Sequence, residues 1–183
     1  LGIKHKNYID YAQNYRAENL DFLLSKKCEL FICDTSGIIY IALSQGAKVL
    51  RYNCNIYDMF KPYRNTLSVP VMYFDELNNK ILHYDEVIDR SIFKLNTTEQ
   101  FKKNNIKIIY NNTDILYKST QEALSKKNAK TFINEEHEHL NNKFFELFEK
   151  KNYLEFNKQQ RFLYEDKSTV PYFYLKDNIH LYE

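Results

Sequence analysis

Glycine is scarce in this chain, since only three of its 183 residues are glycine and few positions can therefore take the sharp turns that glycine allows. Long apolar runs are also missing. The longest, residues 37–43, is far shorter than the roughly 20 apolar residues that a membrane-spanning helix needs. The chain also opens with no charged and apolar signal segment. These absences predict a cytoplasmic protein.

Cysteine is sparse and odd in number, with Cys28, Cys33 and Cys54 as the only three. An odd count without a secretory signal argues against a disulfide scaffold. The spacing of the first two is not that of a zinc or redox motif, and Cys33 falls in an apolar run. We therefore expect the cysteines to act as small buried hydrophobic residues and assign them no chemistry.

Charge of one sign is not in excess, because 26 basic residues face 24 acidic ones. A dedicated nucleic-acid-binding protein usually carries a stronger or more localised basic patch, so we expect no nucleic-acid partner. The hydrophobic share of 44% suits one globular domain over residues 1–183. Because the first residue is Leu, we expect this domain to be a fragment of a longer, two-domain protein.

The hydrophobic period alternates between helix and strand along the first 53 residues. Leucines at helical spacing predict a helix over 14–27, and short apolar runs predict strands at 30–33 and 49–52 on either side of an apolar helix. A similar run predicts a third strand at 107–110. This order indicates an α/β fold with a Rossmann-like parallel sheet and helices on both faces.

The rest of the chain is predicted to be a loop followed by shorter elements. Pro62 and Pro70 favour a loop over 54–70. The remaining segments are predicted as strands at 71–74 and 80–83, helices at 85–90, 98–104, 113–126, 133–150 and 154–164, and an extended tail at 170–175. In the helix at 133–150, Leu140 and Phe144 lie on one apolar face, which we expect to pack structurally and to bind no ligand.

The turn from Asp34 to Gly37 is the first candidate site. It joins a predicted buried strand directly to a helix, so several backbone N–H groups and the positive end of the helix dipole meet there. Gly37 lets a phosphate approach the backbone, and the Thr35 and Ser36 hydroxyls can donate to its oxygens. The alternative is that Thr35 or Ser36 only caps the helix, and four residues alone do not decide between the two.

The wider segment, residues 8–53, contains a series of short motifs. They are Tyr15 with Arg16, the leucines at 20–24, the strand at 30–33, Ser36 with Gly37, and Asn53. With these motifs the segment resembles the nucleotide-sugar-binding half of bacterial GT-B glycosyltransferases, and most of all those that build surface polysaccharides. A weaker likeness extends through most of the chain. Heptosyltransferases and the glycerophosphotransferases of wall-polymer synthesis carry comparable turns.

This resemblance implies a donor site without a metal or other cofactor. The residues that it assigns to substrate binding are Arg16, Asp34, Thr35, Ser36, Gly37 and Asn53. The nucleotide sugar would be the substrate, with the pyrophosphate on the turn and Arg16 neutralising its charge. The acceptor, a glycan or a lipid-linked sugar, and the catalytic base would belong to a preceding N-terminal domain of the same protein. The resemblance also implies a cytoplasmic protein that can bind peripherally to the inner membrane.

Other polar clusters have weaker claims. Glu135 and His139 share one face of a predicted helix and are metal-ligand types, but a solvated helix face is the alternative. Glu86 follows a predicted strand and is a candidate to bind a ribose hydroxyl, again with simple solvation as the alternative. For the whole chain, the competing function is a noncatalytic α/β binding or interaction domain.

Overall fold

Two small β-sheets with helices around them make up the fold. A computed structural model of the chain describes residues 5–34, 36–59, 65–150 and 168–183. The strands are β1 (Phe31–Cys33), β2 (Val49–Cys54), β3 (Thr66–Pro70), β4 (Met72–Asp75), β5 (Lys80–Ile81) and β6 (Ile106–Ile109). The α-helices are α1 (Tyr11–Asn14), α2 (Glu18–Lys27), α3 (Ile38–Ser44), α4 (Ile56–Met59), α5 (Tyr84–Asp89), α6 (Thr98–Lys103), α7 (Thr113–Ser125), α8 (Glu135–Lys150) and α9 (Tyr172–Asp177).

The first sheet is parallel and has the order β1-β2-β3. Phe31 of β1 aligns with Val49 of β2, and Leu50 of β2 aligns with Leu67 of β3. Late in the sequence, Thr169 forms a parallel bridge with Leu67 on the outer side of β3. The predicted α/β class and the pairing of the first two strands are confirmed, and the arrangement is compatible with a Rossmann-like fold.

The third strand of the parallel sheet differs from the prediction. The run at 107–110 does not join that sheet, because β6 pairs antiparallel with β4 in a second sheet of order β5-β4-β6. The third position belongs to β3, which lies within the predicted loop at 54–70 and is buried along its whole length. Proline lacks an N–H group to donate within a sheet and is therefore tolerated at the end of a strand, where Pro70 lies.

Apolar side chains cover both faces of β2. Successive side chains of a strand point to opposite faces, so Val49 and Leu50 face opposite ways. Val49 packs with Ile39 and Ala42 of α3 in a small cluster. Leu50 belongs to the larger core, which also includes Phe144 of α8. Helices thus pack against the sheet from both sides.

The C-terminal helices close the larger core. Phe144, Phe145 and Phe148 of α8 are fully buried, as the apolar face predicted for this helix requires. The predicted extended tail at 170–175 is wrong, because α9 begins there directly after Pro171, a residue whose fixed φ suits the start of a helix. The predicted helix at 154–164 lies outside the described residues. No helix within the described ranges is long and apolar enough to cross a bilayer.

Candidate functional site

The turn after β1 presents its backbone to solvent. Asp34, Ser36 and Gly37 are all exposed, while Thr35 lies outside the described residues. None of the described side chains caps α3, whose N-cap position is Gly37. A Cβ atom added to Gly37 would meet nothing within 4 Å. Ser36 therefore does not cap α3, capping by Thr35 lies outside the described residues, and the space beside Gly37 is open.

Some amide groups of the turn are already engaged. The Ile39 amide donates to the Ser36 carbonyl at 3.2 Å, and the Tyr40 amide donates to the Gly37 carbonyl at the same distance. An anion at this end of α3 would therefore be bound by the amide groups that precede Ile39. Such groups carry the positive end of the local backbone dipoles.

Arg16 precedes a helix, α2, that packs beside the helix opened by this turn. Helices α2 and α3 pack against each other. Lys26, near the end of α2, and Gly46, just after α3, line one cavity, so the two helices end together and therefore also begin on the same side. Arg16 lies two residues before the start of α2 and is exposed. No hydrogen bond or ion pair joins it to the turn in the part of the chain that the structure describes.

Tyr11 fixes the corner that carries Arg16. The Tyr11 hydroxyl oxygen lies 2.8 Å from the Ala17 carbonyl oxygen and 2.8 Å from Oδ1 of Asp21. The Ala17 amide donates back to the same hydroxyl at 3.1 Å. These bonds hold the segment between α1 and α2, so the backbone of Arg16 is anchored although its side chain is in solvent.

Asn53 has a structural role that the sequence does not reveal. It takes a left-handed conformation with φ of 60° at the end of β2. Its Oδ1 accepts hydrogen bonds from the backbone amide of Asn111 at 2.9 Å and from the Asn111 side chain at 3.1 Å. Asn111 also donates to the Pro70 carbonyl at 2.9 Å. The side chain of Asn53, which is predicted to bind substrate, thus links β2 to the segment after β6.

A buried cation lies next to the turn and was missed at the level of the sequence. Arg51 of β2 is fully buried, and its Nη1 donates to the Asp58 carbonyl at 2.9 Å. Its Nη2 lies 3.9 Å from Oδ2 of Asp58. In the ladder, Arg51 aligns with Cys33, the last residue before the turn. The available signal was an arginine inside the apolar run of residues 49–54.

The thiols beside Arg51 are poor nucleophiles. Burial raises the pKa of Cys33 to about 11, although the Arg51 guanidinium works in the opposite direction. Burial also raises the pKa of Cys54 to about 11. Both groups are protonated at neutral pH, and only the thiolate attacks or ligates strongly. These two thiols therefore supply neither a nucleophile nor a strong metal ligand at neutral pH.

The acidic and histidine-rich start of α8 has a structural role. His137 is fully buried, its Nδ1 accepts from the Ile133 amide at 3.2 Å, and its Nε2 lies 2.8 Å from the Val170 carbonyl oxygen. His139 is exposed on another face. No group of three or more potential metal ligands occurs within the described residues.

Glu86 serves the start of α5. Its Oε2 accepts from the backbone amide of His83 at 3.3 Å in a capping box, and its Oε1 lies 2.7 Å from Nζ of Lys80. One carboxylate oxygen of Glu86 thus bonds to the start of α5 and the other to Lys80 of β5. A ribose-binding role for Glu86 stays a prediction.

Comparisons with known proteins add no relative. No protein-family model matches the chain, and no curated protein and no solved structure matches it. The case for a function therefore depends on the geometry of the site and on the resemblance carried by residues 8–53.

Proposed function

We propose that this chain is the donor-binding domain of a glycosyltransferase that uses a nucleotide sugar in bacterial surface-polysaccharide synthesis. The observation that carries the proposal is the exposed turn at Asp34, Ser36 and Gly37, which follows the carboxyl end of a parallel strand and opens α3 with no cap from a described side chain. Ligands of open α/β sheets bind outside the carboxyl ends of the strands.

In this proposal, the diphosphate lies on the turn and Arg16 donates to its oxygens. Charge develops on the diphosphate as the glycosidic bond breaks, and preorganised donors stabilise that charge. The buried Arg51, which pairs with Asp58, lies in the strand next to the one that ends at the turn. The acceptor and the catalytic base come from the N-terminal domain of a longer protein, in the cytoplasm or at the inner face of the inner membrane.

Calorimetric titration with nucleoside diphosphates tests the proposal, both on this chain and on the two-domain protein that the proposal implies. Arg16→Ala should weaken binding by about 1.5 to 3 kcal/mol, because a charge-assisted contact is lost. Gly37→Val should block close approach of phosphate. The fold should survive both changes, since Arg16 is exposed and the space around Gly37 is open.

Lys102→Ala is the matched control, because it removes an exposed cation from the last turn of a different helix. This variant should bind like the wild-type protein. Unchanged affinity in both Arg16→Ala and Gly37→Val would refute the donor-site assignment, and so would equal weakening in all three variants.

A specific observation also favours the second candidate, a noncatalytic interaction domain. The apolar side chains of α2 face outward, with Phe22, Leu23 and Leu24 about half exposed, whereas Ser25 is buried. An exposed apolar helix face of this kind marks an interaction surface. Failure to bind any nucleotide, combined with loss of self-association or partner binding in Leu23→Asp but not in the exposed control Leu77→Asp, would favour this candidate.

A further inference from the structure

A cavity of about 580 Å³ opens at the amino edge of the parallel sheet. Glu29, Lys48 and Asn65, which precede β1, β2 and β3, contribute to its lining. The turn at Asp34 lies at the carboxyl edge, on the other side of the sheet's strands. Along α3 alone, seven helical residues separate the two edges by about 10 Å. A ligand in this cavity is therefore distinct from a diphosphate on the turn.

Lysine dominates the charge of this cavity. Four lysines and one carboxylate line it, namely Lys26, Lys48, Lys126, Lys127 and Glu29. The Lys126 ammonium is buried, and it is neutralised by Glu122, whose Oε1 lies 2.7 Å from its Nζ. The other three lysines form no ion pair within the described residues, so a positive excess remains.

Some of these lysines lie at the ends of helices, where a positive charge is favourable. Both α2 and α7 finish at the cavity, and their last carbonyl groups attract cations. Lys48 serves this purpose, because its Nζ donates to the Lys126 carbonyl at 2.7 Å. That bond uses one of the three donors of the ammonium group. Lys26 and Lys127 are exposed and make no such bond to any described residue, so their charge is available to a ligand.

We propose that this cavity binds a small anion with several closely spaced negative charges. Among the described residues, its lining contains no aromatic ring for a base to stack on, and Leu124 is its one large apolar side chain. The same lining holds no arginine, so recognition relies on lysine point charges and not on planar bidentate contacts. Phosphate and carboxylate compounds share this charge pattern, and the volume lies within the usual range for small-ligand pockets.

Titration calorimetry with pyrophosphate and with citrate tests this site and separates the two sources of charge. The double variant Lys26→Gln, Lys127→Gln should bind the preferred anion at least about tenfold more weakly, because two charge-assisted contacts are lost. The matched control is Lys102→Gln, Lys103→Gln, which removes two exposed charges from the end of α6. The control should stay within about twofold of the wild type.

The same titration in a Gly37→Val background separates this site from the proposed donor site. Binding that persists in Gly37→Val and is lost only with Lys26 and Lys127 supports the cavity. Absence of binding by both anions overturns the inference, and so does equal weakening in the two lysine double variants. Loss of pyrophosphate binding in Gly37→Val alone assigns that anion to the turn and also overturns the cavity site for it.

Discussion

His137 is a buried histidine held in its neutral form by its partners. Its Nδ1 accepts an amide hydrogen, so the ring proton is on Nε2 and is donated to the Val170 carbonyl. Burial lowers the pKa of His137 and Lys126 lowers it further, against the hydrogen bond to Val170 and the charge of Glu122, which both raise it. Protonation of Nδ1 would break the hydrogen bond from the Ile133 amide, because a protonated nitrogen cannot accept. Both ring nitrogens of this histidine in the EEHEH motif are therefore committed to the fold.

The lowered pKa of His137 predicts a loss of stability in mild acid. In the unfolded chain a histidine protonates near pH 6.5, so below that pH the unfolded state binds the additional proton. Unfolding free energy should fall as the pH drops from 7 to 5, with a slope of at most about 1.4 kcal/mol per pH unit from this group. Urea unfolding at a series of pH values measures it.

Two variants isolate the contribution of His137. His137→Gln should lose that part of the slope, whereas His139→Gln, at an exposed position two residues away, should keep it. Identical slopes in His137→Gln and the wild type would show that His137 does not titrate between the two states.

Phe144 is the residue for which sequence and structure agree most fully. It is fully buried and packs against the rings of Tyr84, Phe145, Phe148 and Tyr182. Phe144→Ala should therefore lower the unfolding free energy by about 3 to 5 kcal/mol, as large-to-small changes in cores do.

Phe22→Ala is the matched control for Phe144, because it is the same substitution at a half-exposed ring. It should change the unfolding free energy by no more than about 0.5 kcal/mol. A loss below about 1 kcal/mol for Phe144→Ala would contradict the packing described for α8. Denaturant unfolding of both variants decides this.

At the scale of the elements, the bond between Asn53 and Asn111 joins the two sheets. Asn53→Ala should destabilise the protein by about 1 to 3 kcal/mol, because it leaves the Asn111 backbone amide without its acceptor and puts alanine at a left-handed position. Asn79→Ala is the matched control. Asn79 is an exposed turn residue with φ of 50°, and its side chain forms no hydrogen bond to the parallel sheet within the described residues.

The difference between the two asparagine variants measures the link itself, since both lose the same left-handed preference. Thermal or urea unfolding gives that difference directly. Equal destabilisation by Asn53→Ala and Asn79→Ala would mean that only backbone conformation matters at residue 53.

Local sequence patterns predict many of the helices and strands. They fail where the pairing of a segment with distant parts of the chain determines its structure. The helices predicted at 98–104 and 113–126 and the strands predicted at 71–74 and 80–83 depend on residues close in sequence, and they correspond to α6, α7, β4 and β5. Local sequence does not determine which sheet the run at 106–109 joins, because an apolar strand can pair with either sheet. β3 was missed since two prolines flank or end it, and α9 was missed because its tyrosines favour strands by propensity alone.

At the scale of the whole molecule, the sequence predicts the strand, turn and helix of the candidate site. It does not predict the long-range contacts that hold them in place. A strand, a small polar turn and a helix are readable from residues 30–44 alone. The Tyr11 bonds that anchor the corner before α2 and the Arg51 guanidinium behind Cys33 depend on long-range packing. The lysine cavity was missed for the same reason, because α2, α7 and the starts of three strands contribute to it from distant parts of the chain.

The bridge between Leu67 and Thr169 joins two segments that are synthesised at different times. The Ser68 amide donates to the Thr169 carbonyl at 2.8 Å, and the Thr169 amide donates to the Thr66 carbonyl at 3.0 Å. About a hundred residues separate these partners, so during synthesis β3 leaves the ribosome long before the segment that covers its outer side. Until then that side of β3 has unpaired amide and carbonyl groups, which invite pairing with other chains. We therefore expect the outer side of β3 to be open to pairing with other chains until residue 169 has been added.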